Sequence, residues 1–283
     1  MKIYSLSFFL FVNFIITAQD KQPYQIYNAK GNKTTYKKML KTAADADVVL
    51  FGEQHDNALI HWLELEFAKD MAAQKPVAFG AEMIEADNQQ ALTGYLLGQV
   101  DQKGLDTLAR LWPNYKTDYK PLVEFAKAKK YIFVATNVPR HYASLVYKNG
   151  FSALDTLPDA EKKFMAPLPV AYDAELPGYK AMLQMSGMHG GENLPKAQAL
   201  KDATMGYFIS KYSKPGTTFI HYNGSYHSDY HEGINWYLKK YKNDVSIVTI
   251  ATVSQKEVDT LQDEYLNKAD FIIVVDEDMT TTY

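Results

Sequence analysis

The chain has 283 residues, 47% hydrophobic and 22% charged, enough apolar material for a full-sized core and too much for a disordered or fibrous chain. Thirty Lys and Arg against thirty-three Asp and Glu give a formal charge of −3 with no basic block, which argues against a nucleic-acid partner. There is no cysteine, which excludes disulfides, thiolate metal sites, a cysteine nucleophile and a lipid anchor on cysteine.

At the N-terminus Lys2 supplies a short positive end, residues 6–16 an almost uncharged apolar run, and Thr17-Ala18 the small residues of a cleavage site. The run is shorter than the roughly 20 residues a spanning helix needs, so residues 1–18 read as a cleaved signal peptide. Residues 19–283 then form a single exported domain, periplasmic or secreted and soluble. Residues 20–35 are polar and turn-rich, a short hairpin or an extended arm.

From Asp47 onward, compact β-branched runs alternate with longer amphipathic ones. VVLF at 48–51, VAFGAEM at 77–83, YIFVATNV at 131–138, TTFIHYN at 217–223, VSIVTIA at 245–251 and FIIVV at 271–275 have the character of strands buried on both faces. Helical patterns fall at 58–73, 85–97, 120–130, 139–149, 196–212 and 226–241. The alternation predicts an α/β fold, a mostly parallel sheet with helices on both faces. The interval from about 139 to 216 lacks a strand pattern and carries several prolines, so it is expected to be a largely helical insertion packed on that core.

Open parallel sheets bind ligands beyond the carboxyl ends of their strands, and here the ionisable residues gather at those ends. Glu53 and His55 follow the first long strand, Glu82 ends the second, and His221 and His227 lie at the exit of the fourth. Five such groups in one crevice are costly to desolvate unless paired or liganded, which makes them a candidate site. Asp56 or Asn57 is expected to cap the following helix. His227 and His231, four apart in an expected helix, share a face there but lack the glutamate of a zinc-protease motif. His61 and His141 are assigned to structure or to a supporting role around the site. No G-x-S-x-G elbow is present.

G-E-Q-H-D-N at 52–57 with His61 resembles the signature of the ChaN-like haem-binding uptake proteins, in the superfamily that holds the TIKI proteases and erythromycin esterases. In order follow Ala81-Glu82-Met83, Leu111-Trp112 with Tyr115 and Tyr119, Asn137-Val138-Pro139-Arg140, and Ala197-Gln198 with Asp202 and Met205. The resemblance covers roughly residues 45–240. It implies haem as ligand, a homodimer enclosing face-to-face haems, Tyr and His as axial contacts, and a role in iron uptake. Tyr115 and Tyr119 are then candidate phenolates, Arg140 a propionate partner, and His189 an axial or supporting residue beside Met182, Met185 and Met188. Catalytic relatives imply the alternative, a hydrolase. There Glu53 and His55 activate water, and Glu53, His55, Glu82, His221 and His227 hold a divalent metal ion.

Overall fold

The fold was analysed in a computed structural model that describes residues 21–186 and 191–283. The signal-peptide reading of residues 1–18, and the readings of Gly187, Met188, His189 and Gly190, lie outside the described residues. The polar N-terminal stretch forms a hairpin, β1 (Tyr24–Asn28) and β2 (Lys33–Thr34), followed by α1 (Tyr36–Ala44). The six apolar runs become β3 (Val48–Glu53), β4 (Val77–Glu85), β5 (Phe133–Asn137), β6 (Thr218–Gly224), β7 (Ile247–Gln255) and β8 (Phe271–Asp276). Their order is β2-β1-β8-β7-β3-β6-β4-β5; β1 runs antiparallel to β2 and β8, and all other pairs are parallel. The sheet is therefore α/β and mostly parallel.

Helices α2 (Ala58–Gln74), α3 (Gln89–Leu96), α4 (Gln102–Leu108) and α5 (Lys120–Lys129) join β3 to β4 and β4 to β5. Between β5 and β6 the chain runs through α6 (Arg140–Asn149), α7 (Asp159–Lys162), α8 (Pro177–Ser186) and α9 (Leu194–Tyr212), so the described part of the insertion is largely helical and has no strand. Helix α10 (Ile234–Tyr241) precedes β7. The short helices α1 and α4 fall outside the helical patterns read from the sequence. Their caps set them: Thr35 accepts from the Lys38 N–H and Asp101 from the Gly104 N–H.

Side chains alternate across each strand, so each strand feeds two cores. Val49 and Phe51 of β3 and Phe79 of β4 pack with α2 and α5, whereas Val48, Leu50 and Ala78 pack with α9 and α10. Met182 joins Tyr179, Ala199, Ala203 and Tyr237 in a third cluster, which makes it packing between α8 and α9.

The expected continuous helix over 226–241 is corrected. Residues 225–231 form two short 3-10 turns, Tyr230 and His231 have φ of 56° and 59°, and Gly233 has φ of 51° before α10 begins. A side chain on Gly233 would strike the His227 carbonyl oxygen, so only glycine lets the chain turn there. His227 and His231 consequently share no helix face. His231 lies half-exposed near Asp270, far from the role of a paired ligand.

Asn57 begins α2 as expected, its Oδ1 accepting from the Leu59 and Ile60 N–H groups at 3.1 Å each. Asn57→Ala should cost about 1 kcal/mol in urea unfolding, and Asp56→Ala, whose side chain caps nothing, close to zero. Equal losses would show that the cap does not set this helix start.

Candidate functional site

Glu53 ends β3 on the α2 side of the sheet, while Glu82 and His221 project to the α9 side. The five sequence candidates therefore gather at one end of the sheet but divide between its two faces.

On the α2 side, Glu53 is 2% exposed and its Oε1 accepts from His55 Nδ1 at 2.6 Å and from the Tyr119 hydroxyl at 2.7 Å. One turn into α2 stand His61 and Glu64, with His61 Nδ1 3.0 Å from Glu64 Oε2 and 3.7 Å from Glu53 Oε2. His61 Nε2 donates to the His55 carbonyl at 3.1 Å and lies 3.5 Å from Asp118. A single π-helical turn, Tyr115–Tyr119, turns Tyr115, Asp118 and Tyr119 inward together. Burial pushes the Glu53 carboxyl up, but the hydrogen bond from His55 and the charge of His61 outweigh it and hold it below the usual carboxylate range. Burial and the adjacent Glu53 charge push Glu64 well above its ordinary value. Burial opposes charge on His55 and His61, yet their carboxylate partners raise both, His61 to about 10.

On the α9 side, His227 bridges two carboxylates, with Nε2 3.0 Å from Glu82 Oε1 and Nδ1 2.5 Å from Asp202 Oδ1. Glu82 Oε2 accepts from the Gly224 N–H at 2.8 Å, and Tyr179 donates its hydroxyl to Asp202. Burial disfavours an imidazolium, but Glu82 and Asp202 raise His227 to about 10, and its charge holds Glu82 far below the carboxylate range despite burial. His221, fully buried, donates Nδ1–H to Asn223 Oδ1, because the Asn223 amide nitrogen already bonds Ser228 and the Gly224 carbonyl. Its Nε2 faces the Thr136 hydroxyl at 2.7 Å, and burial lowers its pKa to about 4.

These pairings correct the expected five-residue metal set. His227 uses both ring nitrogens as donors, and His221 is enclosed by Thr136 and Asn223. Neither offers an open lone pair beside Glu53 and His55. Among the described residues, the group whose ligand atoms lie within 4.8 Å of one another is Glu53, His61 and Glu64.

Two hollows lie on either side of a ring contact: His55 lines the first, Trp112 lines the second, and the two rings meet edge-on at 4.9 Å. The first, about 550 Å³, is lined by Glu53, His55, Gly224, Tyr226, His227 and Lys268 among others. A side chain on Gly224 would sit 2.7 Å from His55 Nε2, so the glycine is what lets the imidazole lie against β6. The second, about 680 Å³, combines Leu111, Trp112, Pro113 and Leu145 with Arg110, Arg140, His141 and Lys148. Arg110 is held by Glu85 and Asp87, and the Arg140 backbone N–H is taken by Glu85. Tyr115 and Tyr119 line neither hollow, which corrects the expectation of a phenolate from them. Both rings are buried, Tyr119 donates its hydroxyl to Glu53, and burial raises both phenols, Tyr119 further through the Glu53 charge.

The sequence profile of the family described as "Haem-binding uptake, Tiki superfamily, ChaN" matches residues 39–238. The chain belongs to this family. Among solved structures it is similar to one described as cofacial heme binding to ChaN of Campylobacter jejuni, at 17% identity and a TM-score of 0.63, covering 89% of this chain and 96% of that one. A protein from Bacillus cereus is similar at 11% identity and a TM-score of 0.51, covering 88% of this chain and 95% of that one. At these identities the likeness shows the fold. No curated protein sequence matches.

In this ChaN-family chain, sequence reasoning did not place Glu64, Asp118 or Asp202 at the site. A signal was present: Glu64 and Asp202 sit on the buried faces of α2 and α9, where a charged residue needs a partner. Nothing local in sequence marks Asp118.

The buried ion pairs predict a pH profile. His227 has a pKa of about 10 in the fold against 6.5 unfolded, so it adds stability that is complete below pH 6.5 and lost as pH rises to about 10. His61 acts in the same sense. His221, at about 4 against 6.5, adds stability present above pH 6.5 and lost as pH falls toward 4. Melting temperature should therefore peak near pH 6.5. His227→Gln should cost about 3–5 kcal/mol by leaving Glu82 and Asp202 uncompensated, and should make the alkaline decline shallower. An unchanged alkaline slope would remove His227 from this account.

Proposed function

We propose that the protein is an exported haem-binding protein of haem and iron uptake that holds haem between two copies of the chain. The family match over residues 39–238 carries this reading. The second hollow supports it, because haem requires an apolar wall and cations for its propionates. Leu111, Trp112 and Leu145 supply the first, and Arg140 and Lys148 the second. His189 of the insertion is the proposed axial residue, since ferric iron accepts imidazole. An open hollow covers one face of a flat ligand, and a second copy of the chain covers the other; cofacial haem is the arrangement named for the Campylobacter jejuni neighbour. Export proceeds by signal cleavage before Gln19, and among the described residues no helix is long and apolar enough to cross a membrane.

One observation favours a hydrolase as the second reading. Glu53 grips His55 Nδ1 while the imidazole borders the first hollow, an arrangement suited to taking a proton from water. In that reading Glu53 and His55 are the acid/base pair.

Titration of exported protein with haemin should give a saturable Soret shift and a dimer by sedimentation. Replacing Arg140 and Lys148 together by Ala should weaken binding roughly 10–100-fold, the worth of one charged hydrogen bond or two. His189→Ala should move the Soret maximum. Glu53→Gln should leave the haem titration unchanged and abolish any hydrolysis. Absence of a Soret shift in the unaltered protein would overturn the haem reading.

A further inference from the structure

The α2 side of the sheet buries more carboxyl groups than its two histidines can pair as ions. Glu53, Glu64 and Asp118 are 2%, 0% and 2% exposed, and they converge on the single ring of His61. Such a group is stable only with a proton or a cation among the carboxylates. Two of its oxygens, Glu53 Oε2 and Glu64 Oε1, have no hydrogen-bond partner although both are buried. The other Glu53 oxygen is engaged by His55 and Tyr119, which leaves Oε2 turned toward His61 and Glu64.

We propose that Glu53, His61 and Glu64 form a buried binding site for a small first-row divalent cation, held by Glu53 Oε2, His61 Nδ1 and the Glu64 carboxylate. The geometry matches that class of ion. Zinc bonds of about 2.1 Å at tetrahedral angles place neighbouring ligand atoms about 3.4 Å apart, and His61 Nδ1 lies 3.0 Å from Glu64 Oε2 and 3.7 Å from Glu53 Oε2. Calcium takes six to eight oxygens at longer range and is poorly served by one imidazole and two carboxylates. The supporting contacts also fit a metal-binding histidine. His61 Nε2 donates to the His55 carbonyl, with Asp118 3.5 Å behind, which leaves Nδ1 as the coordinating atom. Asp118 is itself fixed by Asn114 and by the Thr282 hydroxyl. This site is distinct from the haem hollow beside Arg140 and does not depend on the haem reading. It shares Glu53 with His55, so the ion would brace the residue that orients that imidazole.

The test uses the whole mature protein, stripped with chelator and equilibrated with zinc ion alone. One ion per chain should be bound after desalting, and the melting temperature should rise with zinc concentration. Glu64→Gln, close in shape, should lose the bound ion and the zinc-dependent rise. His231→Ala, which removes the half-exposed histidine beside Asp270, should retain both. No retained ion in the unaltered chain, or full retention in Glu64→Gln, would overturn the site. If Glu64→Gln fails to fold, the unaltered chain still decides, because a chain whose melting temperature does not respond to zinc has no such site. Haemin titration of the stripped protein reports separately on the haem reading.

Discussion

Five carboxylates, Glu53, Glu64, Glu82, Asp118 and Asp202, are buried at the carboxyl end of one sheet, and their pairing with histidine is the constraint on which that end depends. Among the described residues, the ion pairs that reach them come from His55, His61 and His227. An imidazole ring suits this work because it offers two donors on opposite sides of a rigid plane and can join two carboxylates in little space. His227 does so between Glu82 and Asp202, linking a strand to the insertion helix α9. His61 does the same between Glu64 and Asp118, linking α2 to the π-helical turn. Each ring therefore ties a helical segment to the sheet end by charge as well as by packing, and each such tie carries a pH dependence.

The strand pleat separates the two groups. Because Glu53 and Glu82 project to opposite faces, the α2 and α9 clusters meet only around the rim of the sheet, where His55 lies against Gly224. At that rim His55 and His227 border one hollow, and Trp112, whose ring meets that of His55, borders a second, more apolar one together with Arg140. The tyrosines of the 115–119 turn serve the cluster: the Tyr119 hydroxyl holds Glu53, so its polarity is spent inside the protein.

Much of this was legible in the sequence because it is local. Apolar runs at 48–51, 77–83 and 271–275 have no way to satisfy their burial except in a covered sheet, and the Asn57 cap follows from its own neighbours. The family signature is equally local. Positions that failed depended on partners far along the chain or on a single backbone turn. The 226–241 pattern looks helical until Gly233 reverses the chain, and nothing in the pattern says that His227 will meet Asp202 25 residues earlier and Glu82 on another strand. Tyr119 offers a phenol in any sequence reading, and only the fold brings Glu53, 66 residues away, to claim it. The sequence by itself determined the strands, the helical insertion and the residues able to carry charge into the core. The tertiary structure alone decided on which face of the sheet each charge lies and which histidine neutralises it, because side-chain period sets a face only relative to its own strand, while pairing depends on distances that the whole fold must close.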